Sequence, residues 1–362
     1  MGWWKFVAPA MTATLALVAA HPASADAVED FYKKNDIKFV IGIAVGGSYD
    51  TSGRLLARHI GKYIPGNPKV QIQNMPGASS RVATNYIYAV APKDGTTIGA
   101  VSEAVPMSQA LGEDGVRYDA SKLNWIGTAE QPVSILGVWH TSGVRSIEDA
   151  KTKELVVGAT SVSGSNYLYP ALIKAMLGVK FKIIVGYVGG NAINIALERG
   201  EVGARGSMVW ALIKKEQPEW VKDGKLIPIV QYTLTKAPDL PNVPRLIDLP
   251  AEGDAKAALA VIASTDGMGR PFVTTPDVPA DRLNALRRGF DKAVKDPQLL
   301  DEADKLGIEI NPTSGEEMQK IVATIVKAPP GAVAMIKAAL ENRVGIDCQQ
   351  VSTGSYCAKD KE

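Results

Sequence analysis

The chain has 362 residues, of which 40 are Lys or Arg and 38 Asp or Glu, giving a formal charge of +2. That length accommodates two domains, each with a core of its own. Near-neutrality without a long basic run gives no support for nucleic-acid binding.

Residues 1–25 read as a secretory signal peptide. "MGWWK" is a short cationic start, "FVAPAMTATLALVAA" an apolar centre, and Ala23, Ser24 and Ala25 a small-residue cleavage site. The alternative is an uncleaved membrane anchor, but the apolar run falls short of the roughly 20 residues a spanning helix needs and is interrupted by Pro9. Cleavage before Asp26 removes Lys5 and leaves a charge of +1. No other stretch is long and apolar enough to span a bilayer, so a mature protein soluble outside the cytoplasm is expected.

Past residue 36 short β-rich runs alternate with helical ones. "KFVIGI", "KVQIQN", "TTIGAV", "ELVVGA", "FKIIVGY" and "KLIPIVQYT" read as strands. Helices are expected over 52–64, 81–90, 166–177 and 191–199. Leu55, Leu56, Ile60 and Ile64 keep helical spacing in the first, and Gly178 and Gly200 stand where left-handed caps would end the third and fourth. His59 falls on the inner face of the first helix, where a packed histidine is expected. This alternation predicts an α/β fold with parallel sheets covered by helices on both faces. After "VPRLIDLPAEGDAKAALAVIAS" the chain becomes mostly helical, and "PADRLNALRRGFDKAVKDP" places Leu283, Leu286, Phe290 and Ala293 on one face.

Ligands of α/β sheets sit at the carboxyl ends of strands, where backbone N–H groups and helix N-termini converge. Four loops there have suitable composition: 44–50, "NMPGASSR" (74–81), "GATSVSGSN" (158–166) and "GYVGGN" (186–191). Glycine lets the backbone approach a ligand, and hydroxyls donate without fixing a charge. Any one of the four is equally well an ordinary turn with a helix cap.

Catalytic signatures are sparse. The chain has no G-x-x-x-x-G-K-[ST], no G-x-G-x-x-G in its first loop, no G-x-S-x-G elbow and no H-E-x-x-H. Only His59 and His140 remain after signal removal, which makes catalysis the poorer reading, although a lone Ser–Lys arrangement stays open. Cys348 and Cys357, nine positions apart near the C-terminus, read as one disulfide clipping the tail. A metal site there would be short of ligands.

In this order behind a secretion signal, the loops resemble the solute receptors of tripartite tricarboxylate transporters, the Bug-type receptors. The matching segments are "GGSYDTSGRLLARHI", "NMPGASS", "APKDGTTIG", "GATSVSGSN", "YVGGN", "LPNVPRLIDL" and "TPDVPADRLNALRRGFDKAVKDP". The resemblance covers nearly all of the mature chain. It implies a two-lobed periplasmic binding protein of the type II, two-crossover kind, each lobe a mostly parallel sheet flanked by helices. Lobe 1 would comprise 26–138 plus 262–362 and lobe 2 would comprise 139–261, with crossings near Val138 and Ile262. A small organic carboxylate would be gripped between the lobes by a monomer and passed to a membrane permease, with no cofactor and no metal.

On this resemblance Gly46, Gly47, Ser48, Tyr49 and Asp50, with Gly77, Ala78 and Ser79, form one half of the site. Thr160, Ser161, Ser163, Gly164, Ser165 and Asn166, with Gly189, Gly190 and Asn191, form the other. Asp50 is expected to cap its helix or fix the first loop, because a free carboxylate would repel an anion. The chain departs from the family pattern at Ser48 and Tyr49, at Arg81 and at Gly203. Tyr49 would stack on an aromatic ligand or narrow the pocket. Arg81 would meet a second carboxylate or stay solvated, and Trp210 would be a ligand platform or a core residue. The rival functions are an exported hydrolase and a ligand sensor for a signalling system.

Overall fold

The computed structural model describes residues 23–160 and 165–341. The rest of the expected signal peptide (1–22), Ser161, Ser163, Gly164 and the Cys348–Cys357 pair lie outside the described residues.

β1 (Ile37–Ile41), β2 (Val70–Asn74), β3 (Thr97–Ala100) and β4 (Asn124–Thr128) open a first sheet. β5 (Ser134–Trp139), β6 (Leu155–Gly158), β7 (Phe181–Ile184), β8 (Ala204–Val209) and β9 (Leu226–Gln231) build a second. β10 (Pro271–Thr274) and β11 (Thr313–Ser314) return to the first. The orders are β11-β4-β10-β3-β1-β2 and β7-β6-β8-β5-β9. β1 is parallel to β2 and β3, with β10 antiparallel between β3 and β4. In the second sheet β6 is parallel to β7 and β8, and β5 runs antiparallel between β8 and β9. Most strands of each sheet therefore share one direction, and helices cover both faces.

A sheet covered on both faces needs apolar side chains at consecutive positions rather than alternate ones. β1 meets this with Ile37, Phe39, Val40 and Ile41, all fully buried. Phe39 and Ile41 pack with Leu55, Leu56, Ile60, Phe272 and Phe290 on one face, while Val40 packs with Ala83 and Ile87 on the other. From Ala258 onward the helix Gly253–Gly267 is buried on most sides, with Ala258, Leu259, Val261, Ile262 and Ala263 in the core. Such a helix must be enclosed, and it belongs to one core that runs from the first sheet (Val40, Trp125) to the second (Leu136, Val157, Tyr232).

The expected crossings at Val138 and Ile262 both fall inside regular elements. Val138 lies in β5, whose six residues are all buried in the second sheet, and Ile262 lies within the Gly253–Gly267 helix. The chain changes sheets between Thr128 and Ser134, and again between Gln231, the end of β9, and Pro271, with the Gly253–Gly267 helix on the way. The two passages touch. Gly269 has φ +58°, and a Cβ there would stand 2.9 Å from the Glu130 carbonyl carbon. Arg270 N–H donates to Thr128 Oγ1 (3.1 Å), whose hydroxyl donates to the Glu130 carbonyl (2.9 Å).

The first helix begins earlier than its apolar spacing predicts, running Ser48–Ile60 with a 3-10 turn Gly61–Tyr63 after it. Helix formation starts directly after Gly47, so Ser48, Tyr49 and Asp50 occupy its first turn rather than a loop. His59 is buried as expected, but between the carboxylates of Asp296 (3.2 Å) and Glu302 (3.1 Å). Among the described residues no single helix is long and apolar enough to cross a membrane. The bent pair Gly315–Val326 and Pro330–Leu340 passes by length and composition, and it packs Met318, Val322, Ile325 and Ile336 into the core.

Candidate functional site

Loops 1 and 2 leave the carboxyl ends of β1 and β2, and a polar network ties them together. Asp50 is 3% exposed. Its Oδ2 accepts from the Gly46 N–H (2.9 Å) and from Arg54 Nε (2.9 Å), and its Oδ1 accepts from Asn74 Nδ2 (2.7 Å). Arg54 also donates to Asn74 Oδ1 (2.7 Å), and Asn74 donates to the Ile43 carbonyl (3.0 Å). Asp50 thus fixes loop 1 and does not cap the helix, whose N-cap Gly47 has no side-chain hydrogen bond. Gly46 takes φ +88° to turn the loop back toward that carboxylate.

Burial pushes the Asp50 carboxyl up, but hydrogen bonds from Arg54, Asn74 and Gly46 outweigh it and hold the group at about 2. Its stabilisation is complete above the ordinary carboxylate value near 4 and is lost as the pH falls through about 2. Asp50→Ala is expected to cost about 2–4 kcal/mol in urea unfolding, because Arg54 and Asn74 lose their shared acceptor. A loss below about 1 kcal/mol would mean that Arg54 and Asn74 hold the loop without it.

Loop 2 is held in an unusual conformation. Ala78, Ser79 and Ser80 follow one another with φ of 45°, 51° and 69°, a left-handed turn that costs each non-glycine residue about 1–2 kcal/mol. Ser80, fully buried, restrains it: its hydroxyl donates to the Gly42 carbonyl (3.3 Å) and accepts from the Ser102 N–H (3.0 Å). Gly77, Ala78 and Ser79 stay exposed at the tip.

In the second lobe, loop 3 is closed by Asn166, whose Oδ1 accepts from both the N–H and the hydroxyl of Thr160 (3.2 Å each). Loop 4 joins it where the Gly186 N–H donates to the Thr160 carbonyl (3.2 Å). Gly189 is the N-cap of the helix Gly190–Glu198, Ser165 opens the helix Ser165–Leu177, and Ser165 and Asn191 are exposed. The N-cap residues Gly47, Ser80 and Gly189 make no side-chain hydrogen bond to the helices they open. The same holds at Ala104, Val209, Glu252 and Pro279, whereas Ser146, Asp296 and Ser314 do cap their helices. A helix N-terminus carries N–H groups and a partial positive charge that favour an anion, although the Arg81 N–H already donates to the Ala78 carbonyl (3.0 Å).

Several residues at the junction of the lobes escape the sequence reading. The Tyr49 hydroxyl and the Ser102 hydroxyl (3.0 Å) both donate to Glu103 Oε2, just past β3. Asp266, in the last turn of the Gly253–Gly267 helix, accepts from the Tyr169 hydroxyl of the second lobe (3.0 Å). Tyr169 packs on Tyr232 with ring centroids 4.6 Å apart. Burial raises the Glu103 carboxyl to about 7, with the charge of Asp266 adding to the rise and Arg270 opposing it. Burial likewise raises Asp266 to about 7, against the hydrogen bonds from Tyr169 and Ser134. Arg270 pairs with Glu130 and lies 5.7 Å from the Tyr49 ring centroid. Tyr49 therefore faces an arginine and a carboxyl. A carboxylate directly after a predicted strand (Glu103) and an acid ending an apolar helical run (Asp266) were the available signals.

Arg81, Trp210 and Arg205 occupy three different settings. Arg81 pairs with Glu113 within the first lobe. Trp210 is 5% exposed, belongs to a core cluster and donates to Asp239 (2.9 Å). It also borders a cavity of about 460 Å³ reaching Gln131, Gly267 and Asn311, to which none of the four loops contributes. Arg205 lies at the end of the site, against Gly190, where a Cβ would stand 2.7 Å from its Cζ.

Solved structures share this architecture. A TctC solute-binding protein from Polaromonas, solved without ligand, has a TM-score of 0.64 at 17% identity, covering 86% of this chain and 99% of its own. An R. palustris protein solved with adipate has a TM-score of 0.52 at 19% identity, covering 85% and 97%. A periplasmic transporter has a TM-score of 0.50 at 18% identity, covering 87% and 99%. The chain has the two-lobed α/β fold of periplasmic solute-binding proteins. No protein-family model matches it, and no curated protein is significantly similar.

Proposed function

We propose that the protein is an extracytoplasmic solute receptor. It binds a small organic carboxylate between its lobes and delivers it, as a monomer, to a membrane permease of the tripartite tricarboxylate kind. The observation that carries this reading is that loops 1, 2 and 4 each lead directly into a helix N-terminus, after Gly47, Ser80 and Gly189. Such ends favour an anion without committing a fixed cation to each carboxylate oxygen, which suits a receptor that must release its cargo. On this reading Gly46, Gly47, Tyr49 and Gly77–Ser79 face Thr160, Asn166 and Gly189–Asn191. The lobes close about the paired passages at Glu130 and Gly269. The neighbour solved with adipate supports a carboxylate cargo, and the transport neighbours support a receptor over a hydrolase.

A thermal-shift screen of dicarboxylates, tricarboxylates and aromatic acids tests the proposal. A ligand at ~100 times its Kd adds about 2.7 kcal/mol, several degrees in Tm. If no carboxylate raises the Tm, the proposal fails. Recovery of a chemically altered ligand would favour a hydrolase instead.

A further inference from the structure

The site is electrically lopsided in a way that an anion alone does not explain. At the junction the described residues place three carboxyl groups, Glu103, Glu130 and Asp266, around one cation, Arg270, apart from the Asp50–Arg54 pair that holds loop 1. Arg270 is committed to Glu130. Two acidic oxygens there, Glu130 Oε1 and Asp266 Oδ2, are buried without a hydrogen-bond partner, and Glu130 is only 4% exposed. Buried acceptors left unpaired are costly, and a donor-bearing ligand group removes that cost. The Tyr169 hydroxyl of the second lobe donates to Asp266, and the charge of Asp266 reaches Glu103, which accepts from Tyr49 of the first lobe, so the two acids lie together where the lobes meet.

The second lobe presents the opposite charge. Arg205 donates to the neutral Asn194 Oδ1 (3.0 Å), its Nε is buried without a partner, and it forms no ion pair among the described residues. Burial lowers its pKa, and only the more distant charge of Glu216 opposes this. Its guanidinium lies on the first turn of the helix Gly190–Glu198. A half-buried arginine without a carboxylate at a helix N-terminus is an anion acceptor.

We infer that the solute is a zwitterion, an amino-carboxylate whose carboxylate meets Arg205 and the Gly190–Glu198 helix and whose ammonium meets Glu103 and Asp266. The inference rests on the receptor reading above and narrows its ligand class. It also fixes the direction of proton flow. An ammonium beside Glu103 and Asp266, which sit near 7, drives both to ionise, so binding at pH 7 releases protons. A second carboxylate in the same place would draw protons in. Around the two acids stand Tyr49, Tyr169, Tyr232, Glu130 and Arg270; burial holds Tyr169 and Tyr232 well above the usual phenol range and lowers Arg270, against the charge of Glu103.

Titration calorimetry tests this with C4–C8 α- and ω-amino acids beside matched dicarboxylates, such as 6-aminohexanoate beside adipate and glutamate beside glutarate. Each is run in two buffers of different ionisation enthalpy. At least one amino-carboxylate is expected to bind tenfold or more tightly than its dicarboxylate partner, with proton release. Asp266→Asn and Glu103→Gln are expected to remove most of that preference and the proton release, while Arg205→Gln weakens both ligand types. Should the variants fail to fold, the wild-type proton count still decides the sign. Tighter binding of the dicarboxylate, or proton uptake, overturns the inference and leaves the receptor reading intact. Absence of binding by either series overturns both.

Discussion

Gly269→Ala is expected to cost about 2–5 kcal/mol of folding stability. The backbone there is left-handed, at φ +58°, which alone costs an alanine about 1–2 kcal/mol. The larger part is steric, because the new Cβ would run into the Glu130 carbonyl group and stand 3.1 Å from Thr128 Oγ1. Those atoms cannot easily yield. Thr128 is hydrogen-bonded to both passages at once, and the Gln131 side chain donates to the Gly267 carbonyl on the same stretch. Gly253 provides the control, with φ +54° and nothing within 4 Å of a Cβ. Gly253→Ala should lose only the conformational part, about 1–2 kcal/mol. Urea unfolding of the two variants measures the difference. Equal losses would show that the two passages slide past one another freely and that their contact is not a fixed pivot.

The legibility of this molecule in its sequence divides along the same line between local and distant causes. β1, β2, β3, β6, β7 and β9 are readable because each is a short β-branched run bounded by turn residues and followed by a helical pattern. β10 opens with Pro271, a residue that normally argues against a strand interior, and it is antiparallel between β3 and β4. Its existence follows from the chain's return to the first sheet, which no local pattern encodes. The first passage between sheets, at 128–134 rather than at Val138, is displaced for a related reason. The apolar run around Val138 continues straight through the expected position, because β5 extends across it.

The same division holds in the site. Loops 1 to 4 are legible because turn chemistry is local: Gly46 needs a positive φ, and Asn166 reaches only as far as Thr160. The role of Asp50 follows from electrostatics, and its partners Arg54 and Asn74 lie within reach of the same loop. Glu103 and Asp266 stand 163 positions apart in the chain and meet only when the Gly253–Gly267 helix is packed between the sheets. Each alone reads as a surface acid or a helix-terminal one. Together, half-buried at the lobe junction, they acquire titration behaviour that neither segment suggests.

That behaviour gives the second large effect. The folded protein is expected to lose stability as the pH rises from about 5 to about 7.5. Glu103 and Asp266 sit near 7 in the fold, against about 4 in an unfolded chain. Between those values the unfolded chain has shed both protons while the fold retains them, so stability falls as pH rises and levels off above 7. Each tenfold difference in proton affinity between the folded and unfolded chain is worth about 1.4 kcal/mol per group. Partial solvent access and the interaction between the two acids reduce the sum to about 2–4 kcal/mol across the window. Asp50 does not mask this, because its contribution changes only below about 4. Urea unfolding at pH 5 and 7.5 measures the effect, and Asp266→Asn should remove about half of it by replacing a titrating group with a neutral one of the same shape. A pH-independent unfolding free energy over this range would show that the acids ionise freely in the fold. With a saturating amino-carboxylate the expected loss above pH 5 shrinks, because the ammonium supplies the charge that burial withholds from Glu103 and Asp266.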